Sequence, residues 1–201
     1  MPYFTKRKLL YIHIPKCYGT SIEHALQESD TMVLSNDKLA KLKYGVGIQK
    51  INTPPQHYSF EEIQNFDIDV EHSFATVRNP YTRVISQWKY QNYNKQVFPY
   101  KFVKVLFRDW VCDLYDRHKN GTIKNTRHDW PQTDFIFDEN NKLLINEIIK
   151  CEGLTSIYNV PLCHLNQSIS EEQPKFTLEI KKMICEIYKR DFELLGYPMD
   201  L

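Results

Sequence analysis

Apolar positions along the chain switch between two spacings. Leu9, Leu10, Tyr11, Ile12 and Ile14 form a dense run that predicts a buried strand over residues 8–14. Pro15 ends it, and from Ile22 the spacing is helical, with Ile22, Ala25 and Leu26 on one side, to about residue 28. A second strand is predicted at 31–34, a short helical stretch at 37–42 and a loop at 44–55, where Gly45, Gly47 and Pro54-Pro55 fall. Ser59 and Glu62 make an S-x-x-E capping box, so a helix starts at Phe60. Residues 73–77 read as a short buried strand. Asn79 is a good N-cap and Pro80 suits the first helical position, and Val84, Ile85 and Trp88 give the helix an apolar side. After a polar loop at 92–99, apolar residues from Phe102 to Leu114 recur at helical spacing, which predicts a long amphipathic helix over 100–118. Residues 119–129 are polar and read as a loop. Segments 133–137 and 142–145 flank Asp138-Glu139-Asn140-Asn141 as a hairpin, followed by a helix at 146–151 and a short strand at 160–165. A last helix over 175–194 buries Phe176, Ile180, Met183, Ile184, Ile187 and Tyr188. Alternating strands and helices predict one α/β domain over 1–201, with a mostly parallel sheet and helices on both faces.

The first strand, turn and helix hold the clearest candidate chemistry. The stretch YIHIPKCYGTS (Tyr11 to Ser21) has the order a phosphate-binding loop needs. Such a turn aims backbone N–H groups at one point, and the helix N-terminus adds partial positive charge there. Gly19 lets the main chain approach an anion, Thr20 and Ser21 offer hydroxyls, and Lys16 offers a point charge. The G-x-x-x-x-G-K-[ST] pattern of Mg–ATP loops is absent, because the lysine precedes the glycine. The plainer alternative is an ordinary strand-to-helix turn with a surface lysine. A second stretch, HSFATVRNPYTRVISQWKYQ, puts Arg78 at a strand end and Ser86 eight residues later on the following helix. The two can converge on one phosphate, with the arginine as a bidentate fork.

Composition narrows the function classes. A net charge of +1 gives no basic field for nucleic acid or a membrane surface, so any anion site is local. The five cysteines are scattered with no C-x-x-C pair, so neither a disulfide framework nor a zinc site is signalled. No secretory h-region opens the sequence, and no apolar run approaches the roughly 20 residues of a membrane span. The expectation is a soluble, cytoplasmic protein with no bound metal.

The two motifs, HIPKCYGTS and ATVRNPYTRVIS, resemble the HIPKTGGTS and FVRNPYDRLVS motifs of sulfotransferases that use 3′-phosphoadenosine 5′-phosphosulfate (PAPS). The likeness is greatest to the carbohydrate, glycosaminoglycan-type branch, and PQTDFIFDENNKLLINEIIKCEGL and IYKRDFELLGY extend it over most of the chain. It implies a P-loop-type three-layer α/β/α fold. It also implies transfer of a sulfuryl group from PAPS to a hydroxyl, with a carbohydrate the leading acceptor, and release of 3′,5′-diphosphoadenosine (PAP). The loop from Pro15 through Lys16, Cys17, Tyr18, Gly19 and Thr20 to Ser21 would hold the 5′-phosphosulfate, and Arg78 and Ser86 the 3′-phosphate. Cys17-Tyr18 replaces the family's usual Thr-Gly, so Tyr18 must avoid a positive φ or tolerate strain. Lys16 is expected to stabilise the leaving phosphate, and His57 to be the general base. In the glycosaminoglycan branch a histidine between the two motifs, just before a helix, takes the acceptor proton. A helix N-terminus also disfavours imidazolium, which suits a base. His128 is the rival, and by position His128, Trp130 and Gln132 are acceptor contacts; Trp130 could stack on a sugar or simply pack in a core. The competing functions are an ATP-type nucleotide kinase and an inactive nucleotide-binding module.

Overall fold

The structure, a computed structural model, describes residues 2–29, 32–33, 55–64, 68–93, 104–163, 165 and 173–200. They form two compact units. One comprises Met1–Val77 and Gln132–Leu165, and the other Arg78–Pro131 and Asn166–Leu201. The expected helix at 37–42, the loop at 44–54 and most of the loop at 92–99 lie outside the described residues.

The first unit carries a five-stranded sheet in the order β3-β1-β2-β4-β5. Its strands are β1 (Tyr3–Phe4), β2 (Leu9–Ile12), β3 (Met32–Val33), β4 (His72–Val77) and β5 (Glu147–Lys150). β2 and β4 are parallel neighbours, Tyr11 opposite Phe74 and Ile12 opposite Ala75, and β4 pairs in parallel with β5. β1 runs antiparallel to both β2 and β3. All of β2 is buried, as its unbroken apolar run predicts for a strand covered on both faces. The α/β class stands, with a parallel centre flanked by helix. Helix α1 (Gly19–Ser29) lays Ile22 and Leu26 on Leu9, Tyr11 and Phe74 in a dry core. The capping box starts α2 (Phe60–Ile63) where expected: the Ser59 N–H donates to Glu62 Oε2 at 2.7 Å.

Three expectations in this unit are corrected. Residues 146–151 are not helical, because Glu147–Lys150 pairs with β4 as strand β5. The 133–137 segment opens with a 3-10 turn, Thr133–Phe135, and the hairpin is reduced to one bridge, Phe137 to Leu143. The piece at 160–165 contributes only β7 (Val160–Pro161), in a hairpin with β6 (Ser156–Ile157).

The second unit is helical. Its α3 (Pro80–Tyr93) begins at Pro80 as predicted, with Asn79 Oδ1 accepting the Tyr81 N–H at 2.9 Å. Helix α4 spans Phe107–Lys119, and residues 104–106 before it, expected within the helix, are not helical. The Val105 carbonyl accepts from Trp88 Nε1 and its N–H donates to Asn92 Oδ1, so its backbone groups are taken from outside the helix. The polar segment after α4 folds into two 3-10 turns, Ile123–Asn125 and Arg127–Asp129. The predicted last helix is two, α5 (Leu178–Ile187) and α6 (Lys189–Leu195), parted at Tyr188, whose ψ is 29°. Thr177 Oγ1 caps α5 by accepting the Ile180 N–H, so the helix starts three residues later than its apolar pattern. Ile180, Ile184, Ile187 and Tyr188 pack with Tyr81, Val84, Trp88, Trp110 and Leu114 as expected.

Candidate active site

The loop from β2 to α1 crosses the C-terminal edge of the sheet. Lys16 has φ 69° and Tyr18 φ 64°, both left-handed, on either side of Cys17. Such turns gather successive N–H groups into an anion-binding concavity. Tyr18 therefore accepts the strain that the sequence left open, and its ring packs on the α1–sheet core. Cys17 is fully buried and tied down twice: its carbonyl accepts from Thr76 Oγ1 on β4 at 2.6 Å, and its thiol donates to Gln132 Oε1 at 3.2 Å. Because the Thr76 proton goes to Cys17, the buried Tyr11 hydroxyl must donate to Thr76 Oγ1, 2.6 Å away. Burial pushes the Tyr11 phenol well above its ordinary range, so it stays a donor. β2 and β4 thus fix the loop's midpoint. Ser21 is buried and its Oγ accepts the Leu165 N–H at 3.0 Å, which leaves the hydroxyl proton for another acceptor, while Thr20 is exposed.

Gly19 opens α1 and is needed for space. A Cβ there would lie 2.0 Å from Nε2 of His13 and 2.3 Å from two of its ring carbons. His13 is buried. Its Nδ1–H donates to Glu23, four residues after Gly19 on the same helix face. Gln56 Nε2 donates to the same Glu23 oxygen at 3.3 Å.

His57 ends the 3-10 turn Pro55–His57, two residues before the Ser59 cap, and is buried. Its Nδ1 lies 3.2 Å from the main-chain oxygen of His13. A carbonyl only accepts, so the proton is on Nδ1, and in the neutral ring Nε2 is the basic nitrogen.

In the helical unit, Arg78 Nε donates to Thr82 Oγ1 at 3.0 Å. Thr82 and Ser86 are one turn apart on α3, so Arg78 is held along the face that carries Ser86. Farther along α3, His128 stacks on Tyr90 with centroids 5.7 Å apart and contacts Gln87 Oε1 at 3.2 Å. Unlike a carbonyl, an amide can turn to offer either atom, so Gln87 does not fix the His128 tautomer. The Arg127 guanidinium sits 3.8 Å over the Trp130 ring, whose Nε1 donates to the Lys124 carbonyl. Beneath this surface, buried Arg83 donates to the His128 carbonyl and Arg117 to Asp129 Oδ2 at 2.7 Å. Burial pushes the Asp129 carboxyl up against the pull of Arg117.

Thr76, at the start of the second motif, thus holds Cys17 of the first. Gln132, expected at the acceptor, is wholly buried under the loop as the partner of Cys17. Sequence reasoning missed Glu23, Gln56, Thr76 and Thr82. The Gly19–Glu23 and Thr82–Ser86 spacings were the available signals for two of them. Among the described residues, no three His, Cys, Asp or Glu side chains are grouped to hold a metal, and no helix is long and apolar enough to cross a membrane.

The sulfotransferase family model matches residues 3–156, which include the loop, His57, Arg78 and Ser86. The chain belongs to the sulfotransferase family. No curated protein and no solved structure matches it. As a sulfotransferase it is a PAPS-dependent enzyme: PAPS is the sulfuryl donor, PAP the product, and a hydroxyl the acceptor. Membership sets aside the kinase alternative.

Proposed function

We propose that this sulfotransferase acts on a carbohydrate hydroxyl, with Lys16 at the leaving phosphate and His57 as general base. One observation carries the reading: the His13 carbonyl fixes the proton of His57 on Nδ1 and leaves Nε2 as the basic nitrogen. In the reaction the acceptor oxygen bonds to sulfur as the bond from sulfur to the phosphate bridge oxygen breaks. The acceptor proton passes to His57 Nε2, and the electron pair of the broken bond stays on the departing PAP. Negative charge grows on that bridge oxygen, where a lysine ammonium is worth most. The loop Pro15, Lys16, Cys17, Tyr18, Gly19, Thr20, Ser21 would bind the 5′ end, with Cys17 shaping the turn, since its own N–H donates to the Ile14 carbonyl. Arg78 and Ser86 would bind the 3′-phosphate. His128 and Trp130 are the proposed acceptor contacts, and Gln132 supports the loop from below.

The test uses a panel of chemically desulfated heparin, chondroitin and dermatan with PAPS in the absence of Mg²⁺. Turnover is expected, competed by PAP and not by Mg–ATP. His57→Ala should lower kcat by about 10²–10⁴ and Lys16→Ala by about 10²–10³, with PAP still bound by His57→Ala. Full turnover in both variants would end these role assignments. PAP binding with no turnover on any acceptor would favour the inactive module.

A further inference from the structure

Glu23 is a buried carboxylate that sulfuryl transfer itself does not use. A carboxylate leaves water only at a considerable cost, so its partners mark what it holds in place. Those partners are the His13 ring and the Gln56 amide. His13 in turn touches both halves of the proposed chemistry. Its ring lies along α1 with Nε2 against Gly19 of the donor loop and Nδ1 on Glu23. Its main-chain carbonyl accepts from His57, and the two rings meet edge to face at 4.8 Å. Gln56 and His57 are consecutive in one 3-10 turn and are anchored separately, Gln56 by Glu23 and His57 by the His13 carbonyl. Turning that segment breaks both anchors together.

We infer that Glu23, through His13 and Gln56, is a positioning group that registers His57 to the donor loop and keeps its proton on Nδ1. The inference rests on reading His57 as the base. Without the Gln56 arm, the 3-10 turn is no longer tied to Glu23, and His57 can turn away from the His13 carbonyl that fixes its proton. The ring can then flip to the Nε2–H form, in which Nε2 is a donor and cannot accept the acceptor's proton.

The test is nitrogen NMR of the histidine rings in the full chain with PAP bound, at a pH where the rings are neutral. His57 is assigned by the loss of its signals in His57→Ala. The wild type is expected to show His57 as a single Nδ1–H tautomer. Gln56→Ala, a change at a partly exposed residue, should give a tautomer mixture while the Kd for PAP changes less than threefold. Glu23→Gln, which keeps the side-chain shape, serves in the same way should Gln56→Ala fail to fold. A His57 that stays wholly Nδ1–H in the folded variant, or that is not Nδ1–H in the wild type, overturns the inference. Turnover by His57→Ala on the desulfated glycosaminoglycan panel decides the base reading separately. A base reading that fails there leaves the tautomer result to stand or fall by itself.

Discussion

Replacing Gly19 by alanine tests the central contact of the loop, and its sign depends on one neighbour. In an exposed helix alanine is better than glycine by up to about 1 kcal/mol. Here the new methyl would sit 2.0 Å from Nε2 of His13, well inside van der Waals contact. The ring cannot swing aside easily, since Glu23 holds Nδ1, Tyr11 stacks on it and His57 abuts it. Overpacking of this kind costs about 1–3 kcal/mol, and the pinned ring puts it at the upper end. Gly19→Ala should therefore lose about 2 kcal/mol net, or about 4–8 °C in Tm for a chain of this size. His13→Ala alone leaves Glu23 with Gln56 and costs about 2–3 kcal/mol, within the reserve of an ordinary domain. In that background the space is open, so Gly19→Ala should turn neutral or stabilising, raising Tm by about 1–3 °C. Thermal unfolding of the four proteins gives the coupling energy directly. A loss on Gly19→Ala that is the same, within about 0.5 kcal/mol, with and without His13 would refute the steric argument.

Four further outcomes are expected. Gln132→Ala removes a buried hydrogen bond and leaves a cavity beneath Cys17, so it should cost about 2–3 kcal/mol in urea unfolding and weaken PAP in calorimetry; Cys17→Ser, which keeps a donor there, should cost less. Tyr18→Gly relieves about 1–2 kcal/mol of left-handed strain but gives up ring burial of similar worth, so its stability should stay within about 1 kcal/mol of wild type, while Tyr18→Ala keeps the strain and loses the ring. Tyr158 and Asn159 both have positive φ in the two-residue turn between β6 and β7, so Asn159→Ala should lose about 1 kcal/mol and Asn159→Gly should not, as read from Tm. Lys119 and Tyr115 hydrogen bonds hold the Glu186 carboxyl below its ordinary value near 4.5, so their stabilisation is present above that pH and lost as pH falls through the lowered value; wild-type and Glu186→Gln melting curves should converge on acidification.

The elements that carry the chemistry were legible because their signals are local. Pro15 ends a strand, Asn79-Pro80 opens a helix, and Ser59 with Glu62 caps another, each within a few residues. The misread elements were decided by distant partners. The Ile148-Ile149 pair suits a helix or a strand, and only pairing with β4, more than seventy residues earlier, settles it. Helix α4 starts late because α3 side chains hold the Val105 backbone. The candidate site shows the same division. Lys16, Gly19 and Ser86 stand out by motif, whereas Glu23 gains meaning only once His13 and Gln56 are seen to meet on it.

Tyr18 shows how a residue other than glycine can hold a left-handed backbone. Glycine suits a left-handed position, and this backbone is left-handed with tyrosine there. The conformation is imposed from both sides. Cys17 is fixed to β4 through Thr76 and to Gln132 through its thiol, and Ile22 begins the helical hydrogen bonds by donating to the Tyr18 carbonyl at 3.1 Å. With its neighbours held, residue 18 has little choice of φ, and the strain of about 1–2 kcal/mol is met locally by packing the ring on the α1–sheet core. A loop held in this path by its neighbours does not need a glycine at residue 18. The tyrosine is therefore a poor argument for an enzyme that has lost its donor site.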